Sequence, residues 1–210
     1  CWIGAHTTRI KLGTAVMQLS ARTPACAAMT AATIDHLSGG RLILGIGVSG
    51  PQVVEGWYGQ PFPRPLARTR EFVALLRKML AREAPVSFDG EHYQLPLRGG
   101  AGLGKPLKMI VHPLRQVPIF MGAEGPKNVK LAAEIADGWL PIFYSPYRTH
   151  VYAESLKDMR PGFEIACTVS VFPNDDVAKA LEIAKVPIAF YIGGMGAKDK
   201  NFHLELISRF

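Results

Sequence analysis

Residues 117–144 read VPIFMGAEGPKNVKLAAEIADGWLPIFY, and the fold follows from this stretch. Val117–Ala123 is apolar and β-prone, so it reads as a strand. Gly122-Ala123-Glu124-Gly125 interrupts it, and Pro126, a residue favoured in the first helical turn, opens a helix to Ala136. Gly138–Tyr144 is a second apolar strand. A strand, a helix and a strand in immediate succession form the crossover unit of a parallel sheet.

The alternation extends in both directions. Upstream, RIKLGTAVMQ (9–18) reads as a strand. Thr23-Pro24 is a helix start, with Thr as cap and Pro at the first position. That helix is expected to bury Ala25, Ala28, Met29 and Ala32 and to end at Leu37-Ser38-Gly39-Gly40. RLILGIGV (41–48) is nearly continuous in its apolar character, as a strand covered on both faces is. After the loop SGPQVVEGWYGQPFPRP, a helix from Leu66 to Arg82 places Phe72, Leu75, Leu76, Met79 and Leu80 on one stripe. Residues 84–116 break the rhythm and read as an insertion, with a hairpin signal at Asp89-Gly90 and a GGAGLG loop at 99–104. Downstream, a helix over 146–158, a strand over 163–172 and helices over 174–185 and 199–209 are expected, the last two joined by a GGMG turn. This pattern is α/β, and alone it leaves a closed (β/α)8 TIM barrel and an open doubly wound sheet both standing.

Composition narrows the function. The 210 residues, 48% hydrophobic and 20% charged, suit one globular domain spanning 1–210. No apolar run approaches the ~20 residues of a membrane span, so no membrane partner is expected. The opening CWIGAHTTRI has neither the basic nor the apolar region of a signal peptide; it reads as the tail of a helix, and the chain as a fragment. Cys1, Cys26 and Cys167 lie far apart, which suits idle thiols in a reducing cytoplasm, and no metal site is expected. The formal charge is +7, but Lys and Arg are scattered without an RNA-binding signature, so a phosphorylated small cofactor accounts for the sign better than nucleic acid.

Three segments could hold such a cofactor. In LGIGVSGPQ (44–52), a strand runs into Val48, Ser49 and Gly50, leaving backbone N–H groups open, although the spacing is not the dinucleotide fingerprint. In Gly122–Gly125, a helix N-terminus follows the turn, an ordinary seat for an anion, with Lys127 near. In GTAVMQLSART (13–23), small residues would let a flat ring approach the strand. Each segment is also readable as plain packing or a plain turn.

Taken in order, RIKLGTAVMQLSARTP, IDHLSGGRLILGIGVSGPQVVEGWYGQPF, PLARTREF, PIFMGAEGPKNVKLAAEIADGWLPIFYSP and IGGMGAKDKNFH resemble the luciferase-like monooxygenase superfamily, and within it the coenzyme F420-dependent oxidoreductases. The resemblance implies a luciferase-like TIM barrel that is incomplete here. The strand at 9–18 would be the third of eight and that at 163–172 the seventh, with the first two and the eighth absent. It implies F420 as cofactor, with FMN as the alternative, and hydride transfer to or from a small-molecule substrate. It also implies a non-prolyl cis peptide behind the ring at Ala15-Val16. Val48, Ser49 and Gly50 would line the cofactor, and Gly122, Ala123, Glu124 and Gly125 would hold its phosphate. Trp57 and Tyr144 would stand at the substrate mouth. A homodimer is common in the superfamily, though no interface is legible.

The sugar-phosphate dehydrogenase of that family carries an acid near the turn after its fourth strand. Gly50-Pro51-Gln52 has none, so glucose 6-phosphate is not implied. Asp35 and His36 adjoin near a helix end, but neighbours on a helix point apart, and a structural role is expected. Arg64, Arg68 and Arg70 could attract a polyglutamate tail or form a solvated basic face. Glu55 and Glu124 are loop carboxylates near the mouth; no catalytic acid or base is assigned.

Overall fold

The computed structural model of the chain describes residues 1–194 and 201–210. Its elements in order are α1 (Trp2–Ala5), β1 (Leu12–Gly13), β2 (Met17–Gln18), α2 (Pro24–Leu37), β3 (Leu42–Gly47), α3 (Pro51–Gly56) and α4 (Pro65–Ala81). There follow β4 (Phe88–Asp89), β5 (Gln94–Leu95), β6 (Ile119–Gly122), α5 (Pro126–Ile135), β7 (Gly138–Leu140), α6 (His150–Leu156), β8 (Glu164–Ile165), α7 (Val177–Ala189) and α8 (Phe202–Ile207).

The main sheet is parallel, in the order β1-β3-β6-β7-β8, with β2 also pairing β3. Together β1 and β2 form one interrupted strand on β3. Strand neighbours in space follow strand order in sequence, which makes a parallel half-barrel with open edges at β1 and β8.

One face of the sheet is sealed by helices. Leu42, Leu44 and Ile46 of β3, Ile119 and Met121 of β6 and Trp139 of β7 are buried. Above them, α4 buries Phe72, Val73, Leu75, Leu76, Met79 and Leu80, the stripe read from the sequence. The expected burial of α2 holds at Ala28 and Ala32 and fails at Ala25 and Met29. Ala27, Ala28, Ala31, Ala32 and Asp35 face inward, while Ala25 and Met29 face out. A helix of alternating small residues gives a weak phase signal, so sheet contact decides its rotation. Its start is as read: the Thr23 hydroxyl accepts from Cys26 N (3.2 Å) and Pro24 is the first residue. Its end closes through Gly39 (φ 64°) and Gly40 (φ 80°), whose amides reach His36 and Asp35 carbonyls.

Residues 84–116 leave the sheet and return. Within them β4 and β5 form an antiparallel hairpin after Asp89-Gly90. Its turn is held from outside, the Glu71 carboxylate accepting from the amides of Glu91, His92 and Tyr93.

Downstream, strands are shorter than expected. Residues 163–172 pair only at Glu164–Ile165, and Val169 and Val171 are exposed. Because β7 offers only Gly138–Leu140 as a ladder and β8 is an edge, β-prone side chains beyond Ile165 find no partner. The helix expected at 174–185 runs over Val177–Ala189 and buries no residue. That expected at 199–209 is Phe202–Ile207; the GGMG turn and the start of that expectation lie in part outside the described residues. The three cysteines are free and exposed. Among the described residues no helix is long and apolar enough to cross a membrane.

Candidate functional site at the strand tips

Parallel pairing brings the expected segments to one end. Gln18 aligns with Gly47, Gly47 with Gly122 and Gly122 with Leu140. The loops beginning at Leu19, Val48, Ala123 and Pro141 therefore emerge side by side at the C-terminal edge of the sheet, where barrels of this kind carry their sites.

The interrupted strand contains a bulge. Gly13 pairs with Ile43 and Met17 with Ile46, so four steps along one strand pass three along the other. The extra residue lies among Thr14, Ala15 and Val16, and the Ala15–Val16 peptide is cis. Thr14 Oγ1 donates to the Gly45 carbonyl (2.7 Å), pinning the bulge against β3. Three glycines make this approach feasible. A Cβ on Gly45 would lie 1.8 Å from the Thr14 carbonyl oxygen. On Gly47 and Gly122 it would lie 2.6 and 2.9 Å from the methyls of Val16. Val16 thus rests on two adjacent strand tips and forms a small apolar platform across them.

Beyond β3, Ser49 takes φ 61°, a left-handed conformation uncommon outside glycine. Its hydroxyl accepts from Gln18 Nε2 (3.3 Å), and Gln18 Oε1 accepts from Tyr58 OH. That network joins the bulged strand to the loop after β3. Gly50 precedes α3, which is anchored by buried Val54; Trp57, at its end, is 82% exposed.

Beyond β6, Ala123 is buried and its carbonyl accepts from Trp139 Nε1 (2.8 Å), so a fully buried indole fixes the turn. Gly125 caps α5, its carbonyl accepting from Asn128 N (2.9 Å) and Val129 N (3.0 Å). The first amides of α5 keep the orphan status common to helix starts and make this end positive.

Glu124 has a partner distant in sequence. Its Oε2 lies 2.8 Å from Nδ1 of His203 on α8. Burial pushes the Glu124 carboxyl up to about 7 and moves the His203 imidazole below its ordinary range. Both shifts disfavour the charged forms, so burial works against an ion pair at this spacing. Asn201 orients this helix, accepting from His203 N (2.9 Å) and Leu204 N (3.2 Å) and donating to the Ile192 carbonyl (2.6 Å). His203 belongs to the IGGMGAKDKNFH segment, but nothing local in that segment points to Glu124.

Tyr144 is half-buried rather than free at the mouth. It meets Trp139 edge-on and stacks on Tyr152, with centroids 6.1 Å apart in each case. Tyr152 donates to the Phe143 carbonyl (2.9 Å), and burial, aided by the nearby Glu124 charge, pushes its phenol up to about 12. Trp57 and Tyr144 follow different strand tips, β3 and β7.

Two other candidates resolve into scaffolding. Asp35 is fully buried, and its Oδ1 accepts from Leu42 N (3.2 Å) and Arg115 Nη2 (2.9 Å), at the opposite end of the sheet. His36 contacts the His112 carbonyl there. Arg64 pairs with Glu91, Arg68 Nε donates to Tyr93 OH (3.0 Å) and Arg70 pairs with Glu134 (2.5 Å), so these arginines serve separate contacts. Glu55 is exposed on α3.

The luciferase-like monooxygenase family model matches residues 1–208. The chain belongs to that family. Over 99% of its length it is 58% identical to a Mycobacterium tuberculosis protein named as a coenzyme F420-dependent oxidoreductase. It is 34% identical, over 91% of its length, to 5,10-methylenetetrahydromethanopterin reductase of Archaeoglobus fulgidus. It spans 63% and 56% of those two relatives. Among solved structures, the coenzyme F420-dependent tetrahydromethanopterin reductase of Methanopyrus kandleri superposes with a TM-score of 0.77 at 25% identity, over 94% of this chain and 60% of that one. The half-barrel is thus a portion of a family fold whose members include F420-dependent reductases.

Proposed function

We propose that this chain is the cofactor-gripping part of a coenzyme F420-dependent oxidoreductase that moves a hydride between the deazaflavin and a small organic substrate. The observation that carries the reading is the alignment of the Ala15–Val16 bulge with the tips of β3 and β6, where Gly47 and Gly122 admit Val16 between them. The identity of the relatives supports the choice of cofactor.

The residues fit such a group. Ala15 and Val16 would back the ring, because the bulge presents an apolar surface across two strands. Val48, Ser49 and Gly50 would border its side chain, with Ser49 held by Gln18. Gly122, Ala123, Glu124 and Gly125 would receive the phosphate at the start of α5, where free amides and the helix dipole favour an anion. A carboxylate in that turn would oppose the phosphate, and the raised pKa of Glu124 beside His203 lessens the opposition. When bound, the deazaflavin supplies the ring carbon that gives or takes the hydride. The protein orients the ring, excludes water and leaves substrate access on the side bordered by Trp57 and Tyr144. We read residues 84–116 as an insertion within one partial barrel domain, in a cytoplasmic enzyme that pairs as a homodimer.

The test is binding and turnover. The protein, within its longer parent where that exists, should bind reduced F420 and bleach or restore absorbance near ~420 nm with a panel of enones and alcohols. Uptake of FMN alone, with absorbance near ~450 nm, would move the protein to the flavin monooxygenases. Binding of neither would refute the reading.

A further inference from the structure

At the end of the sheet opposite the strand tips, a cavity of about 590 Å³ opens between the end of α4 and the segment leading into β6. Arg77, Arg82, Arg115, His112 and Gln116 line it, and the sole acid among its lining residues is Glu83. We propose that this cavity binds the phosphate group of a small molecule, separately from the strand tips.

Charge is the first reason. The nearby carboxylates are already engaged: Asp35 with Arg115, and Asp137 with Arg77 (2.7 Å), Arg160 (3.0 Å) and Ile119 N (2.8 Å). Arg82 pairs with no carboxylate among the described residues, so its guanidinium is the charge left over at the cavity, and guanidinium stays charged at any physiological pH. Donors are the second reason. Arg77 Nη1 is buried with no hydrogen-bond partner, although its Nη2 holds Asp137. Arg82 Nη1 lies 3.0 Å from His112 Nδ1. Guanidinium cannot accept, so Nδ1 does, and the ring proton sits on Nε2 as a further donor. Planar guanidinium forks with spare N–H groups match the oxygens of a phosphate.

The backbone supplies the third reason. Arg82 closes α4 in a left-handed conformation (φ 52°), a position where glycine is usual. An arginine there bears a conformational cost that a glycine would avoid, and its side chain is directed to the Met109 carbonyl and His112 at the cavity wall. The terminal carbonyls of α4 disfavour an anion, so the arginines must supply the attraction. The volume lies in the range of small-molecule sites rather than of a bare ion.

This feature makes a clean test available. Arg82→Gly removes the guanidinium while suiting the backbone, so the helix end is retained. Isothermal titration with inorganic phosphate and with glycerol 3-phosphate, against sodium chloride at matched ionic strength, should give saturable phosphate binding. Arg82→Gly should weaken it about tenfold or more, and Arg82→Lys less. Arginine Nε–Hε signals of residues 77, 82 and 115 should shift in the unmodified chain. Tighter binding of glycerol 3-phosphate assigns the site to organic phosphates; equal binding assigns it to the free ion, and both sustain it. Gly125→Asp, at the strand-tip turn, should leave it unchanged. Unaltered affinity in Arg82→Gly, an equal response to chloride, or loss of binding in Gly125→Asp alone would overturn the proposal. The last result would leave the strand-tip reading intact.

Discussion

At the upper ends of β2, β3 and β6 the chain is shaped by glycine and main chain. Gly45, Gly47 and Gly122 let a bulge press onto two strands, and the turn at Ala123 is held by one indole N–H. At the lower ends the same strands are tied by charged side chains. Asp35 and Arg115 join α2 to β3, and Asp137 draws together α4, β6 and Arg160. An end built from backbone leaves amides and an open surface for a ligand. An end tied by one buried and one half-buried carboxylate uses those carboxylates to hold strands in register. The difference separates strand tips that offer main-chain groups to a ligand from strand starts whose register is held by side-chain charges, and it can be tested one end at a time.

The largest effect is expected at the lower end. Asp35→Ala would leave the buried Leu42 amide without its acceptor and take the carboxylate from the half-buried Arg115 guanidinium, and should cost about 3–4 kcal/mol of unfolding free energy. Urea denaturation measures this. A loss under ~1 kcal/mol would show the lower network to be dispensable and would erase the contrast. At the upper end, Gly45→Ala places a methyl against the Thr14 carbonyl, and about 3 kcal/mol is expected from forced separation of the bulge and β3. That substitution should also cut affinity for reduced F420, whereas Asp35→Ala should lower stability with little change in the affinity of the folded fraction.

These two ends also differ in how far the sequence disclosed them. The Gly-rich turns, the Thr23-Pro24 start and the apolar run of β3 are local signals, and each element arose where its residues placed it. The Asp35–Arg115 and Asp137–Arg77 links join residues 80 and 60 positions apart, and no local pattern carries such a pairing. His203 escaped notice for the same reason. Residues 166–172 failed in the other direction: their composition is that of a strand, but a strand needs a neighbour, and the ladder on β7 ends too soon. Rotation of α2 is only half legible in its sequence, at Ala28 and Ala32, because small residues on several faces leave the choice to the sheet.

A middle-sized effect is expected from pH at the upper end. In the folded chain the Glu124 carboxyl titrates at about 7, above its ordinary value of 4.5. A raised acid pKa means that the folded state holds the proton more firmly than the unfolded state. Stability from this group is therefore full below about 4.5 and declines as pH rises to about 7. The loss should be on the order of 1–3 kcal/mol. His203, shifted downward, acts oppositely and loses stability as pH falls below its ordinary range. The Tyr152 phenol beside Glu124 stays neutral throughout this interval. Glu124→Gln should flatten the decline between pH 5 and 7, as measured by thermal unfolding across the ~2 units. It should also tighten phosphate-dependent cofactor binding at pH 8, where a carboxylate would face the phosphate. A pH profile unchanged by Glu124→Gln would remove Glu124 from the account of the upper end.

The smallest effect compares the two ends within a single helix. α2 starts beside the strand tips at Thr23 and finishes among the lower charges at Asp35. Thr23 contributes one hydroxyl acceptance from Cys26 N in an exposed turn, where water can replace it. Thr23→Ala should cost about 1 kcal/mol, and Thr23→Asp should recover it, since a carboxylate caps a helix start equally well and favours its dipole. The Asp35→Ala loss should exceed the Thr23→Ala loss by about threefold although both remove one oxygen acceptor from the same helix. The ratio isolates the role of burial: the hydrogen bond is similar in kind, but only at Asp35 does its removal leave a buried amide without an acceptor. Equal losses at the two positions would mean that water reaches the lower end after all, and that its charged network is a surface feature rather than the brace of the sheet.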